Sequence, residues 1–140
     1  MTTMTQGFQL EPAALEGLRR SFRGELIERS HPGYGEHRRL WNGSIDRHPA
    51  LIARCADTAD VCAAVGFARR VGLPLAVRGG GHSFPGLSVC EDRIVADLSM
   101  MREIAVDPER GTARERRAVF CWGSWARRRS NTAWPCRPGL

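Results

Sequence analysis

Apolar positions along the chain change period several times, and each change marks an expected element. Over residues 8–29, Leu15, Leu18 and Phe22 recur at i, i+3 and i+7 beside Arg19, Arg20 and Arg23, which predicts one amphipathic helix. His31-Pro32-Gly33-Tyr34-Gly35-Glu36 has loop chemistry, and Trp41-Asn42-Gly43 continues it as a turn. Ala50-Leu51-Ile52-Ala53-Arg54-Cys55 is a short apolar strand. Asp57 or Thr58 can then cap a helix running to about Arg70, with Val61, Val65, Ala68 and Val71 as its buried face. Gly72 and Pro74 stop that helix, and Leu75-Ala76-Val77-Arg78 forms the next strand. Strand, helix and strand make a βαβ unit, from which a parallel pair of strands is expected. Further on, Arg93–Leu98 alternates as a strand with Ile94, Ala96 and Leu98 on one side. Met101–Val106 is another strand, and Asp107-Pro108-Glu109-Arg110-Gly111 is a hairpin-type turn.

Composition narrows the class. With 140 residues, 42% hydrophobic and 26% charged, the chain reads as one globular domain or part of a larger one. No apolar run is long enough for a membrane span. The first seven residues lack a basic region followed by an apolar core, so a cytoplasmic address is expected. The five cysteines form no C-x-x-C pair and have no metal-ligand spacing, so they read as reduced thiols.

The net charge of +6 would by itself suggest a polyanionic partner. Its distribution argues otherwise. Residues 1–113 hold 14 Arg and 14 acidic residues, whereas residues 114–140 hold seven Arg and one acid, Glu115. Trp122, Trp125 and Trp134 fall in the same stretch. One reading makes Arg127-Arg128-Arg129 with Trp125 a nucleic-acid-binding module. The plainer reading, given the neutral body, is an aberrant or unstructured tail with no nucleic-acid partner.

The chemistry-bearing segment is Arg78-Gly79-Gly80-Gly81-His82-Ser83, directly after a strand. Three glycines let backbone approach a ligand and leave N–H groups free to face one anion, for which a diphosphate is the natural guest. It is no Walker loop, since the chain has no lysine at all. Nor is it a Rossmann fingerprint, because Pro85 and Gly86 follow where a helix would have to open. His82 brings an imidazole competent as a nucleophile at neutral pH. On local physics alone, a turn histidine bonded to backbone is the plainer reading.

Leu73-Pro74-Leu75-Ala76-Val77-Arg78-Gly79-Gly80-Gly81-His82-Ser83 resembles the first flavin segment of the PCMH-type FAD-binding domain. Within that superfamily, named for vanillyl-alcohol oxidase, it is most similar to the berberine-bridge and hydroxynicotine-oxidase branch. Trp41-Asn42-Gly43, Ile45-Asp46, Pro49–Cys55, Gly86–Val89, Asp97–Arg102 and Val106-Asp107-Pro108 follow the family's order, so the resemblance covers about residues 38–113.

The resemblance implies an α+β fold: the N-terminal subdomain of a PCMH-type FAD-binding domain, a βαβ unit plus further strands, incomplete. It implies three regions: a helix and loop over 1–37, a partial FAD-binding domain over 38–113, and an aberrant basic tail over 114–140. It implies FAD held by Arg78, Gly79, Gly80, Gly81, His82, Ser83 and Leu87, with His82 as the residue bonded to the flavin 8α-methyl carbon. It implies an FAD-linked oxidoreductase that takes hydride from a small-molecule substrate and passes electrons to oxygen or another acceptor. The cysteine motif that gives many members a second flavin link is not present, and neither are the second flavin subdomain and the substrate domain. The chain is therefore expected to be a truncated, inactive fragment, with no substrate-side catalytic residue and no metal ligand to name.

The tail suggests its own explanation. If each codon is rebuilt from the last base of one and the first two of the next, Cys121–Trp125 can read Leu-Gly-Glu-Leu. Asn131–Gly139 can read His-Gly-Leu-Ala-Val-Pro-Ala-Gly. Both strings are similar to what the family carries after its Thr-Ala-Arg. A reading frame shifted near Arg114 is the expectation.

Overall fold

A computed structural model describes residues 10–102 and 104–115. The basic stretch beyond Glu115, with Cys121, Cys136 and the Arg/Trp cluster, lies outside the described residues, as does the expected start of the first helix.

Helix α1 spans Pro12–Ser21, begins on a proline and buries Leu15 and Leu18. The helix expected to reach residue 29 ends here. Arg23 and Gly24 donate their N–H groups to the Asp60 carboxylate at 2.9 and 2.8 Å, which turns the chain out of helical geometry. Residues Glu25–Glu28 then form strand β1, antiparallel to β2 (Leu51–Arg54). Gly24 is required at this junction, because a Cβ there would lie 1.9 Å from the Arg54 carbonyl oxygen. The segment expected to be loop contains a single helical turn, α2 (Tyr34–His37), anchored by the Tyr34 hydroxyl on the Pro49 carbonyl at 2.7 Å.

Helix α3 spans Thr58–Val71. Asp57 caps it by accepting the Asp60 N–H, and Gly72 ends it at φ 69°, as the local signals predict. Its buried face differs from the expected one. Asp60, Ala64, Phe67 and Ala68 point inward, while Val65 is 40% exposed. The helix turns to put Phe67 into the core and the Asp60 carboxylate over the α1–β1 junction, so Val61 and Val71 are only flanking contacts.

Strands β3 (Leu75–Arg78) and β4 (Ile94–Asp97) complete a sheet of order β1-β2-β4-β3, in which β4 is parallel to both neighbours. The parallel relation of β2 and β3 is as expected, but they are not hydrogen-bonded partners, because β4 lies between them. All four β4 residues are buried. Ile94 packs with Leu15, Leu18 and Phe67, and Val95 with Ile27, Tyr34 and Val89. The alternation seen in the sequence is real, but both faces are covered, and such a strand belongs in the centre of a parallel sheet. β3, whose Val77 is 56% exposed, takes the edge. A hairpin of β5 (Ile104–Asp107) and β6 (Thr112–Glu115) follows, with the turn where the sequence places it.

Candidate cofactor loop

The parallel strands end together at Arg54, Asp97 and Arg78, and the glycine run leaves the sheet from the last of these. Gly81 has φ +74°, a conformation that costs a residue with a Cβ but not glycine. Among the described residues, no acceptor in the chain takes the N–H groups of Gly79, Gly80, Gly81, His82 or Ser83. The same loop is tied down by other atoms. The Trp41 N–H donates to the Gly81 carbonyl at 3.1 Å, and Asn42 Nδ2 donates to the Phe84 carbonyl at 3.1 Å. The Ser83 carbonyl accepts from Gly86 N–H at 3.0 Å, and Ser83 Oγ accepts from Leu87 N–H at 3.2 Å. Gly86, at φ +71°, is pressed so closely on Ile45 that a Cβ would come within 2.8 Å of it.

The loop is thus fixed through three of its carbonyls, those of Gly81, Ser83 and Phe84, while a run of N–H groups stays unspent. That arrangement fits a diphosphate, whose oxygens accept hydrogen bonds and need no cation if enough backbone donors converge. Gly80 is exposed, and a Cβ on it would already crowd His82 Cδ2 at 3.0 Å. The donor set and the absence of side chains along the run both suit the diphosphate of FAD.

His82 is exposed at the far end of the run, with its ring 6.2 Å from that of Trp41 and tilted by 47°. Leu87 is 72% exposed on the following turn, with Phe84 also uncovered. Arg78 is placed differently. Its side chain is buried, and its guanidinium donates to the Asp97 carboxylate and to the His37 carbonyl. Leu87 is tied to the run through its N–H on Ser83 Oγ, whereas the Arg78 side chain is buried. Residue-type reasoning did not single out Trp41, Asn42 or Asp97 as partners of this loop. The Trp-Asn-Gly turn, some forty residues upstream, was the available signal.

Cys55 is buried, and burial pushes its thiol up to about 12, with the nearby carboxylates of Asp60, Asp97 and Asp57 adding to the shift. Burial also raises the half-buried Cys90, while Cys62 is exposed on α3. Among the described residues there is no cluster able to hold a metal ion, and no helix is long and apolar enough to cross a membrane.

Comparison with known proteins agrees with this geometry. The family model described as FAD binding domain matches residues 49–118. The chain belongs to that FAD-binding family, in the superfamily of PCMH-type flavin domains. It is 36% identical over 94 residues to (R)-6-hydroxynicotine oxidase of Paenarthrobacter nicotinovorans, covering 67% of this chain and 20% of that enzyme. It is 34% identical over 82 residues to berberine bridge enzyme-like 9 of Arabidopsis thaliana, covering 57% of this chain and 15% of the relative. The crystal structure of 6-hydroxy-D-nicotine oxidase from Arthrobacter nicotinovorans superposes with a TM-score of 0.62 at 36% identity, covering 64% of this chain and 20% of that one. The chain spans about a fifth of the length of the first of these relatives.

Proposed function

We propose that this chain supplies the diphosphate-binding part of an FAD-dependent oxidoreductase acting on a small molecule, with oxygen or another acceptor taking the electrons. The observation that carries the reading is the run of unspent N–H groups from Gly79 to Ser83 on a loop pinned through the carbonyls of Gly81, Ser83 and Phe84. Membership of the FAD-binding family and the named oxidase relatives support it. Bound FAD would supply the hydride-accepting chemistry. The residues of this chain bind and orient. Gly79, Gly80 and Gly81 present amides, Trp41 and Asn42 hold the loop's shape, and the exposed Leu87 and Phe84 offer apolar surface beside it. His82 is the proposed attachment point, its exposed imidazole standing at the end of the amide run.

The test compares FAD, ADP and riboflavin on the full chain by fluorescence titration. Because the cradle reads the diphosphate, ADP should compete with FAD, and riboflavin should bind at least about tenfold more weakly. Riboflavin binding as tightly as FAD, or no binding of either diphosphate, refutes the assignment. For the attachment, flavin that stays with the protein after denaturation should disappear in His82→Ala. Retained flavin in that variant would exclude His82.

A further inference from the structure

The root of the glycine loop is held by Arg78, whose buried side chain is bonded within the fold. Arg54, Asp97 and Arg78 sit at one level on three neighbouring strands. Asp97 is fully buried. One of its oxygens accepts from Arg78 Nη2 and lies 3.8 Å from Arg54 Nε, and the other accepts the Ser99 N–H at 2.9 Å. The remaining arm of Arg78, Nη1, donates to the His37 carbonyl at the end of α2. Four residues later the Trp41 N–H grips the Gly81 carbonyl. Segment 37–41 is therefore bonded to the loop at both ends, by Arg78 at the root and by Trp41 at the crest. The positive charge of Arg78 is already matched by Asp97. A buried ion pair is weak evidence for stability as such, and specificity of arrangement is its better-attested use.

We propose that Arg78 and Asp97 are a positioning pair for the cofactor loop. Asp97 orients the Arg78 fork, the fork holds segment 37–41, and that segment sets Gly81 and the free N–H run in place before any ligand arrives. This rests on the loop being the diphosphate site, but the pair is tested without flavin, so failure of either idea shows separately.

The experiment is NMR-detected amide exchange on the full 140-residue chain, unliganded, in wild type, Asp97→Asn, Arg78→Lys and Arg78→Met. The reporter is the Trp41 amide, and the Ala64 and Phe67 amides inside α3 report the rest of the fold. Trp41 exchange should rise at least about tenfold in Asp97→Asn, while α3 stays within about twofold. Arg78→Lys, which keeps the charge and can reach one of the two acceptors, should rise less than Arg78→Met. If Arg78→Met loses protection everywhere, Asp97→Asn and Arg78→Lys decide. Unchanged Trp41 exchange in these variants overturns the proposal. So does a parallel loss at Trp41, Ala64 and Phe67 in all of them, which would make the pair a determinant of the whole fold.

Discussion

Replacing Asp60 by alanine should destabilise the chain far more than removing an acid from a helix's first turn ordinarily does. The carboxylate is fully buried and accepts three backbone N–H groups: Arg23 at 2.9 Å, Gly24 at 2.8 Å and Ala56 at 2.9 Å. Losing the acceptor strands these donors, at about 1–3 kcal/mol for each one kept from water. The three donors are only partly buried, so each belongs near the lower end, and the sum is about 3–5 kcal/mol. A domain of this size has about 5–15 kcal/mol in all, so the loss is a large share. Asp60→Asn keeps one carbonyl oxygen and puts an NH2 against the remaining donor, so it should cost less than alanine but still about 2 kcal/mol. Equilibrium urea unfolding followed by circular dichroism measures both, with the m-value unchanged if the denatured state is unaffected. A loss below about 1 kcal/mol for Asp60→Ala would refute the reasoning, since it would mean that water replaces the carboxylate at no cost.

Gly86→Ala combines left-handed strain of about 1–2 kcal/mol with overpacking of about 1–3 kcal/mol against Ile45, so urea unfolding should show a loss of about 2–5 kcal/mol. Mass spectrometry after brief maleimide treatment at mild alkaline pH should find Cys62 modified and Cys55 intact, because Cys62 is exposed and Cys55 is buried. The unfolded Cys55 thiol ionises near 9.0 and the folded one near 12, so the stabilisation it confers is complete below 9 and falls as pH rises between them. The stability difference between wild type and Cys55→Ala should therefore shrink over that window by at most about 1.4 kcal/mol per pH unit. Sequencing the gene beyond codon 114 should show a shifted frame that continues with family-like sequence. An intact frame, with a stop codon soon met in the shifted one, would end that idea.

Signals whose cause lies within a few residues were legible from the chain alone. Asp57 caps α3 through an N–H three residues on, Gly72 ends it through its own φ, and Gly81 takes a left-handed φ inside the glycine run. These effects are local in the chain, so their outcome does not wait on the fold. The order of the sheet was not legible. Ile94–Asp97 and Leu75–Arg78 are both short apolar strands, and which became central depended on whether the second face found a cover. Tyr34, Leu40 and Val89 cover it for β4. The end of α1 was likewise set by Asp60, more than thirty residues away in the chain. Arg78 shows the same division at the site. Its place beside the glycines is written in the sequence, but the direction of its side chain was decided by Asp97 and the end of α2, which only the folded sheet brings beside it. A buried charge goes where its counter-charge and acceptors are, and those partners are a property of tertiary structure.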